Sequence, residues 1–135
     1  MNVNYTNICE HHCTFCEYRK EADAKDAYVL TFDAVNERLK QAEGEITEIT
    51  FQGGLSPEVT FGQVLGLLRQ IKAIYPQVRV HAFSPEEIDY YAKHNRLSWK
   101  ETLQKCLEAG MDSVCGTAAE ILDDDIRCRI CPEKI

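Results

Sequence analysis

Hydrophobic and polar positions along this chain follow two periods, one typical of strands and one typical of helices. Strand-like segments lie at 2–6, 46–52, 78–83 and 112–115. After the second of these segments, apolar residues recur every three or four positions, at Val64, Leu67, Leu68, Ile71 and Ile74. Strands that alternate with helices at this spacing predict right-handed βαβ units and an α/β fold with a parallel sheet and about four strand–helix units.

The predicted helices begin at capping residues. Thr31 precedes the first helical run, and Thr60 with Gln63 forms a capping-box pattern before the second. The stretches 84–87 (SPEE) and 98–101 (SWKE) repeat that pattern. Further along, the acidic run 123–125 is interpreted as a solvated segment before a helical turn.

The faces of the predicted strands indicate a barrel wall. In the third strand the apolar row is Val78, Val80 and Ala82, and the mixed row is Arg79, His81 and Phe83. A sheet with helices on both faces would need apolar residues on both. We therefore expect a partial parallel (β/α) barrel whose half-polar inner face surrounds a polar ligand. A complete barrel takes about 250 residues, so these 135 residues are expected to be a fragment that is inactive alone.

Composition and charge narrow the class of protein. The chain has 15 Lys+Arg and 22 Asp+Glu, a net charge of −7, which argues against a nucleic-acid partner. It has no apolar run long enough for a membrane span and no signal-peptide pattern, so we expect no membrane contact and a cytoplasmic location. Seven cysteines in a reducing compartment favour metal or cluster binding over disulfides.

The loop after the first strand concentrates possible metal ligands. Cys9, Cys13 and Cys16 lie within eight residues. Iron–sulfur clusters are usually held by four thiolates, and three leave one iron open to another ligand. A zinc site with His11 or His12 as the fourth ligand, and a redox disulfide between the last two cysteines, remain alternatives. Otherwise the two histidines are expected to be exposed.

The other cysteines and two arginines carry weaker signals. Cys106 is expected in the core. For Cys115 both a packing role and a role in the site remain open, and Cys128 with Cys131 forms a second CxxC pair. Arg127 and Arg129 could bind a carboxylate, but a surface position is favoured for both.

The segments expected at the carboxyl ends of the strands are the cysteine loop, 52–54, 84–85 and 116–120, so the sequence predicts one shared site there.

Four motifs resemble one enzyme family. NYTNICEHHCTFCEYRK, with Phe15 before the third cysteine, resembles the cluster loop of radical S-adenosylmethionine (SAM) enzymes, and QGG at 52–54 resembles their glycine motif that holds the SAM amino group. HAFSPEEI at 81–88 and GTAAEILDDDIRCRICPEKI at 116–135 resemble the CofH-like subgroup, the tyrosine-handling half of deazaflavin (Fo) synthase. The futalosine-pathway enzymes of menaquinone synthesis are close relatives. Cys115 replaces a proline of the family pattern.

The resemblance implies a set of site residues. A 4Fe–4S cluster would be held by Cys9, Cys13 and Cys16. SAM on the open iron would contact Phe15, Gln52, Gly53, Gly54 and Glu120. An electron from the cluster would cleave SAM to methionine and a 5′-deoxyadenosyl radical.

The resemblance also implies a reaction and partners. The radical would break the Cα–Cβ bond of L-tyrosine, and the 4-hydroxybenzyl unit would join 5-amino-6-(D-ribitylamino)uracil. Electron donors such as ferredoxin or flavodoxin, and a CofG-like partner enzyme, are implied as well. Family members extend beyond both ends of residues 1–135, which would be the N-terminal part of a radical SAM barrel domain. A futalosine-pathway substrate and a non-catalytic zinc-binding module are the alternatives.

Overall fold

The computed structural model describes residues 1–42, 44, 46–116 and 121–134. Strands and helices alternate as the sequence predicts, with two helices between the third and fourth strands. The elements are β1 (Asn2–Asn4), α1 (Phe32–Gln41), β2 (Glu48–Gln52), α2 (Phe61–Ile74), β3 (Arg79–Ala82), α3 (Pro85–Asn95), α4 (Trp99–Glu108), β4 (Ser113–Val114) and α5 (Asp124–Ile130). None of the helices in these ranges is long and apolar enough to cross a membrane.

The four strands form one parallel sheet in the order β1-β2-β3-β4. Each strand lies beside the next one in the chain, and helical crossovers join β1 to β2, β2 to β3 and β3 to β4. This order confirms the predicted α/β fold with a partial parallel barrel wall, because successive right-handed crossovers place the helices on one face.

The helix-covered face of the sheet is fully apolar. Val3, Phe51 and Ala82 are paired across the sheet and completely buried. They pack in one core with helical residues that include Val35, Leu39, Val64, Leu68, Ile71, Ile88 and Cys106. Burying each large aliphatic or aromatic side chain contributes roughly 1.5–3 kcal/mol. Cys106 is therefore a packing residue, as predicted.

The opposite face of the sheet carries polar side chains that are only half-buried. Thr50 pairs with His81, which pairs with Ser113, and all three are partly exposed. The Nδ1 atom of His81 lies 2.7 Å from the hydroxyl oxygen of Ser113. This polar row matches the predicted inner face of a barrel.

Phe83 differs from its predicted position on that polar face. It is completely buried, with its ring edge-on to Phe51 and Tyr91 at centroid distances of 6.1 Å each. The prediction was wrong because Phe83 has a φ of 59°, outside the extended region. Strand alternation ends there, and the ring enters the core directly beneath the carboxyl edge of the sheet.

The predicted helix caps are confirmed. Thr31, Thr60, Ser84 and Ser98 all accept backbone N–H groups as N-caps, and the last three form complete capping boxes. Asp123 caps α5 by accepting the N–H of Ile126 at 3.0 Å, and the acidic run is exposed as expected. Each cap typically contributes about 1 kcal/mol.

Asp112 ties β3 to α2 just before β4. Its Oδ2 atom accepts the N–H of Val80 at 2.7 Å and the ammonium of Lys72 at 2.8 Å. Burial alone would raise the pKa of Asp112, but these two donors outweigh it and the pKa is lowered. A carboxyl group with a lowered pKa stabilises the folded protein above its unfolded pKa, and this contribution is lost as the pH falls through the folded pKa.

We expect Asp112→Asn to lower the free energy of unfolding at pH 7 by about 1 kcal/mol, because the partly exposed pair is screened by solvent. The difference from the unmutated protein should begin to shrink below about pH 4, where the unfolded chain takes up the proton, and should be lost as the pH falls through the lowered pKa of the folded state. Urea unfolding at pH 7 and pH 3 measures both values. Asp23→Asn, at an exposed position, is the control, and an equal loss in this control would contradict the assignment.

Candidate functional site

The predicted site residues meet at the carboxyl edge of the sheet. A cavity of about 480 Å³ opens there between the loop after β1, the turn after β2 and the start of α3. It is lined by the predicted residues Cys9, Cys13, Phe15, Cys16, Gln52, Gly53 and Gly54. Glu120 lies outside the described residues. Parallel pairing brings these distant segments together, since each follows a strand that ends at the same edge.

The two ends of the cysteine loop are tied to each other and to the segment before α1. Asn7 accepts the N–H of Lys20 at 2.8 Å, and Lys20 accepts the N–H of Cys9 at 3.3 Å. The hydroxyl of Thr6 donates to the Tyr28 carbonyl at 2.7 Å. These bonds close the base of the loop, and the three cysteines lie within it.

The three loop thiols differ in exposure but share one electrostatic environment. Cys9 and Cys13 are half-buried, and Cys16 is exposed. Burial raises the pKa of Cys13, and the nearby thiols of Cys131, Cys9 and Cys16 raise it further, whereas Lys134 lowers it. Several thiolates held this close repel one another, so a bound cation would stabilise them together.

The cysteines outside the loop are held in other ways. Cys115 is buried and its thiol donates to the His81 carbonyl oxygen at 3.3 Å. Burial, and then the charge of Glu87, raises the pKa of Cys115 to about 11, so this thiol stays protonated. The structure therefore answers the open question for Cys115 in favour of packing. Cys131 is buried, and Cys128 is exposed.

The glycine turn after β2 presses against the cysteine loop. A Cβ atom on Gly54 would lie 2.1 Å from the carbonyl oxygen of Ile8, and one on Gly53 would lie 2.5 Å from the Tyr5 ring. The N–H of Leu55 donates to the Cys9 sulfur at 3.3 Å. The turn and the loop therefore form one unit, and only glycine allows this approach.

The backbone N–H groups of the glycine turn are bonded within the protein, whereas its carbonyl oxygens are available to a ligand. The N–H of Gly53 donates to Glu87 Oε1 at 2.9 Å, and the N–H of Gly54 donates to the Thr6 carbonyl at 3.0 Å. No described residue donates to the carbonyl oxygens of Gly53 and Gly54. Carbonyl oxygens that have no donor among the described residues, in a turn beside a cavity, suit a cationic group such as an ammonium.

Glu87 is a site residue that sequence reasoning assigned only to a capping box. It is 2% exposed, and its carboxylate also accepts the hydroxyl of Tyr5 at 2.7 Å. Burial raises the pKa of Glu87 above its usual value, although the bonds from Tyr5, Ser84 and Gly53 act in the opposite direction. The capping-box pattern predicted the contacts of Oε2 with Ser84. No pattern in the neighbouring sequence predicted that Oε1 accepts from Tyr5 and Gly53.

His11 is half-buried, contrary to the prediction that it is exposed. Its buried Nδ1 atom has no hydrogen-bond partner among the described residues, and burial lowers its pKa. The prediction was wrong because the end of α5 and the segment after it cover the loop: the N–H of Thr14 donates to Ile130 at 2.8 Å, and the N–H of His12 donates to Glu133 at 3.2 Å. His12, as predicted, is exposed.

Arg127 is also less exposed than predicted. Its side chain is 12% exposed and lies 3.7 Å from the carboxylate of Glu86. It donates to the carbonyl oxygens of Ile121 and Lys134. The surface interpretation was wrong, because the guanidinium links α5 to the start of α3 and to the segment that follows α5.

The donor set fits an iron–sulfur cluster. Among the residues that the structure describes, no group of three Cys, His, Asp or Glu side chains is close enough together to hold a single metal ion. A cluster presents several irons, each bound by a different thiolate, so its ligands need not converge on one point. The thiols of Cys9, Cys13 and Cys16 line one cavity, beside a glycine cradle that any larger residue would fill.

Known proteins with related sequences cover nearly the whole chain. It is 44% identical to the 5-amino-6-(D-ribitylamino)uracil–L-tyrosine 4-hydroxyphenyl transferase of Thermosynechococcus vestitus, over 99% of this chain and 36% of that protein. The Methanopyrus kandleri protein of the same name is 42% identical, over 99% of this chain and 37% of its own length. The chain thus spans a little over a third of the relatives it matches.

Two further comparisons concern structure and family. The FeFe-hydrogenase maturase HydG of Carboxydothermus hydrogenoformans matches with a TM-score of 0.46 and 21% identity, over 84% of this chain and 34% of that one. The family model described as the Radical SAM superfamily matches residues 3–114, from within β1 to the end of β4, with the cysteine loop and the glycine turn between them. On this match, the chain belongs to the radical SAM superfamily.

Proposed function

We propose that Cys9, Cys13 and Cys16 hold the 4Fe–4S cluster that membership of this superfamily implies. The observation that carries the proposal is their position on one cavity with the glycine turn, joined to it by the bond from Leu55 to the Cys9 sulfur. That N–H donor also stabilises negative charge on the Cys9 sulfur when it acts as a ligand. When bound, the cluster with SAM supplies a 5′-deoxyadenosyl radical.

The residues around the cavity would bind and orient SAM. The carbonyl oxygens of Gly53 and Gly54 would accept its ammonium group. The acidic residues Glu17, Glu86 and Glu87 line the same cavity together with the basic residues Arg19 and Lys134. Phe15, half-exposed at the cavity wall, offers an apolar surface that excludes water. Gln52 lies on the polar inner face of β2, where its side chain reaches the same cavity. Glu120 remains a predicted SAM contact.

We propose further that the complete protein joins the 4-hydroxybenzyl group of L-tyrosine to 5-amino-6-(D-ribitylamino)uracil. The support is the naming of its relatives, which match 99% of this chain. The polar row of Thr50, His81 and Ser113 provides hydrogen-bonding groups for such polar substrates on the inner face. An electron donor such as ferredoxin or flavodoxin, a CofG-like partner enzyme and a cytoplasmic location belong to the same proposal.

Reconstitution under anaerobic conditions tests the function. The protein that carries these residues should bind iron and sulfide, and with a reductant it should release 5′-deoxyadenosine from SAM. Tyrosine with the ribityl-uracil should raise this release, whereas futalosine-type substrates should not. Stimulation by a futalosine-type substrate alone would reassign the reaction, and a colourless protein with one zinc per chain would refute the cluster. The 135-residue chain alone is expected to show no transfer of the 4-hydroxybenzyl group.

A further inference from the structure

The carboxylate of Glu87 connects three parts of the fold. Its Oε2 atom accepts the N–H and the hydroxyl of Ser84 at 2.7 and 2.9 Å, which completes the capping box of α3. Its Oε1 atom accepts the Tyr5 hydroxyl at 2.7 Å and the Gly53 N–H at 2.9 Å. One oxygen therefore caps a helix, and the other joins the end of β1 to the glycine turn.

The capping role alone does not explain why this carboxylate is buried. Glu101 forms the same box at the start of α4, where its Oε2 atom accepts the N–H of Ser98 at 2.8 Å and its hydroxyl at 2.7 Å. Glu101 is exposed, so a capping box works fully in contact with water. Burying a carboxylate is costly unless several donors compensate it, and Glu87 has four such donors.

The buried contacts hold the peptide between Gln52 and Gly53 at both ends. Glu87 accepts its N–H, and the N–H of Tyr5 donates to its carbonyl oxygen at 3.0 Å. The Tyr5 ring packs against Gly53, and its hydroxyl lies 2.9 Å from that of Tyr91. The next two peptides are held as well, by the bonds from Gly54 N–H to the Thr6 carbonyl and from Leu55 N–H to the Cys9 sulfur, so the orientation of each glycine carbonyl oxygen is fixed.

We infer that Glu87 is a positioning residue for SAM. It orients the glycine turn through Gly53, and in its ionised form its buried carboxylate favours a ligand that carries a sulfonium and an ammonium group. The inference rests on the proposed binding of SAM by the turn. Glu87 lies on α3 and need not touch SAM, but part of the affinity that the turn provides for SAM depends on it.

Glu87→Gln separates positioning from capping. A glutamine amide must place its NH₂ group against donors at one of the two oxygen positions, so either Gly53 or Ser84 loses its acceptor. Glu101→Gln removes the same charge from the matched capping box on α4. We expect Glu87→Gln to raise the Kd for SAM about tenfold and Glu101→Gln to change it less than about twofold. Iron content should stay at the unmutated level in both.

Equilibrium dialysis of labelled SAM against the reconstituted protein measures the Kd without turnover. Unchanged affinity in Glu87→Gln, or an equal loss in both variants, would overturn the inference. Tyr5→Phe keeps the ring beside Gly53 but removes one donor to the carboxylate, so about a threefold weaker Kd is expected at full iron content. If Glu87→Gln does not fold, unchanged affinity in Tyr5→Phe overturns the inference. Unmutated protein that binds no SAM refutes the proposed function itself.

Discussion

Cys16→Ala is expected to abolish cluster binding and with it all formation of 5′-deoxyadenosine. Cys16 is exposed, so the loss of its sulfur leaves no cavity in the core, and the fold should keep its stability within about 0.5 kcal/mol. Two thiolates cannot replace three in holding a cluster that has one open iron. Iron and sulfide analysis after anaerobic reconstitution, with thermal unfolding of the metal-free protein, measures both effects.

Cys128→Ala is the matched control for this experiment. Cys128 is also exposed, but it lies on α5 and does not line the cavity. We expect this variant to bind iron and sulfide at the unmutated level. Equal loss of iron in the two variants would contradict the assignment of the loop cysteines, and so would full iron content in Cys16→Ala.

Gly54→Ala is expected to cause the second large effect, the loss of both stability and SAM binding. The added Cβ would lie 2.1 Å from the Ile8 carbonyl oxygen and 2.8 Å from the Cys9 Cβ. Because both neighbours are close to the backbone, the cysteine loop must move, which costs about 3 kcal/mol. For a chain of this size that lowers Tm by roughly 10 °C. The displaced loop should also bind less iron.

Gly66→Ala is the control for that substitution. Gly66 lies within α2 and a Cβ there would have no neighbour within 4 Å. Alanine in a helix is more favourable than glycine by about 0.5–1 kcal/mol, so this variant should be slightly more stable and bind SAM normally. Thermal unfolding and equilibrium dialysis compare the two. Normal SAM affinity in Gly54→Ala would show that the turn does not need glycine.

Local patterns predicted the elements of this fold well. The caps at Thr31, Thr60, Ser84 and Ser98 depend on residues within three positions of each other, and the structure confirms all four. The alternation in β2 and β3 predicted which face is apolar. Phe83 departs from that alternation because a single residue with positive φ ends the strand period, and its pattern in the sequence is that of an ordinary strand residue.

Local sequence patterns could not predict contacts between residues that are far apart in the chain. His11 and Arg127 were predicted at the surface, but the end of α5 and the segment after it pack over the cysteine loop, and both side chains are partly buried. This packing joins residues more than 110 positions apart, as in the bond from Thr14 to Ile130. No periodicity or spacing in the sequence encodes which surface a terminal segment will cover.

The sequence by itself determined the chemistry of this protein. Three cysteines at fixed spacing, a glycine pair at a strand end and regular alternation favoured an iron–sulfur site on a parallel sheet over a zinc site, and the resemblance of these motifs to radical SAM enzymes completed the prediction, since each motif depends on near neighbours. The tertiary structure decided how the site is held. Gly53 and Glu87 are 34 positions apart, and Tyr5 and Glu87 are 82 apart. They meet because parallel strands bring all their carboxyl ends to one edge, where a buried carboxylate can bind donors from several segments.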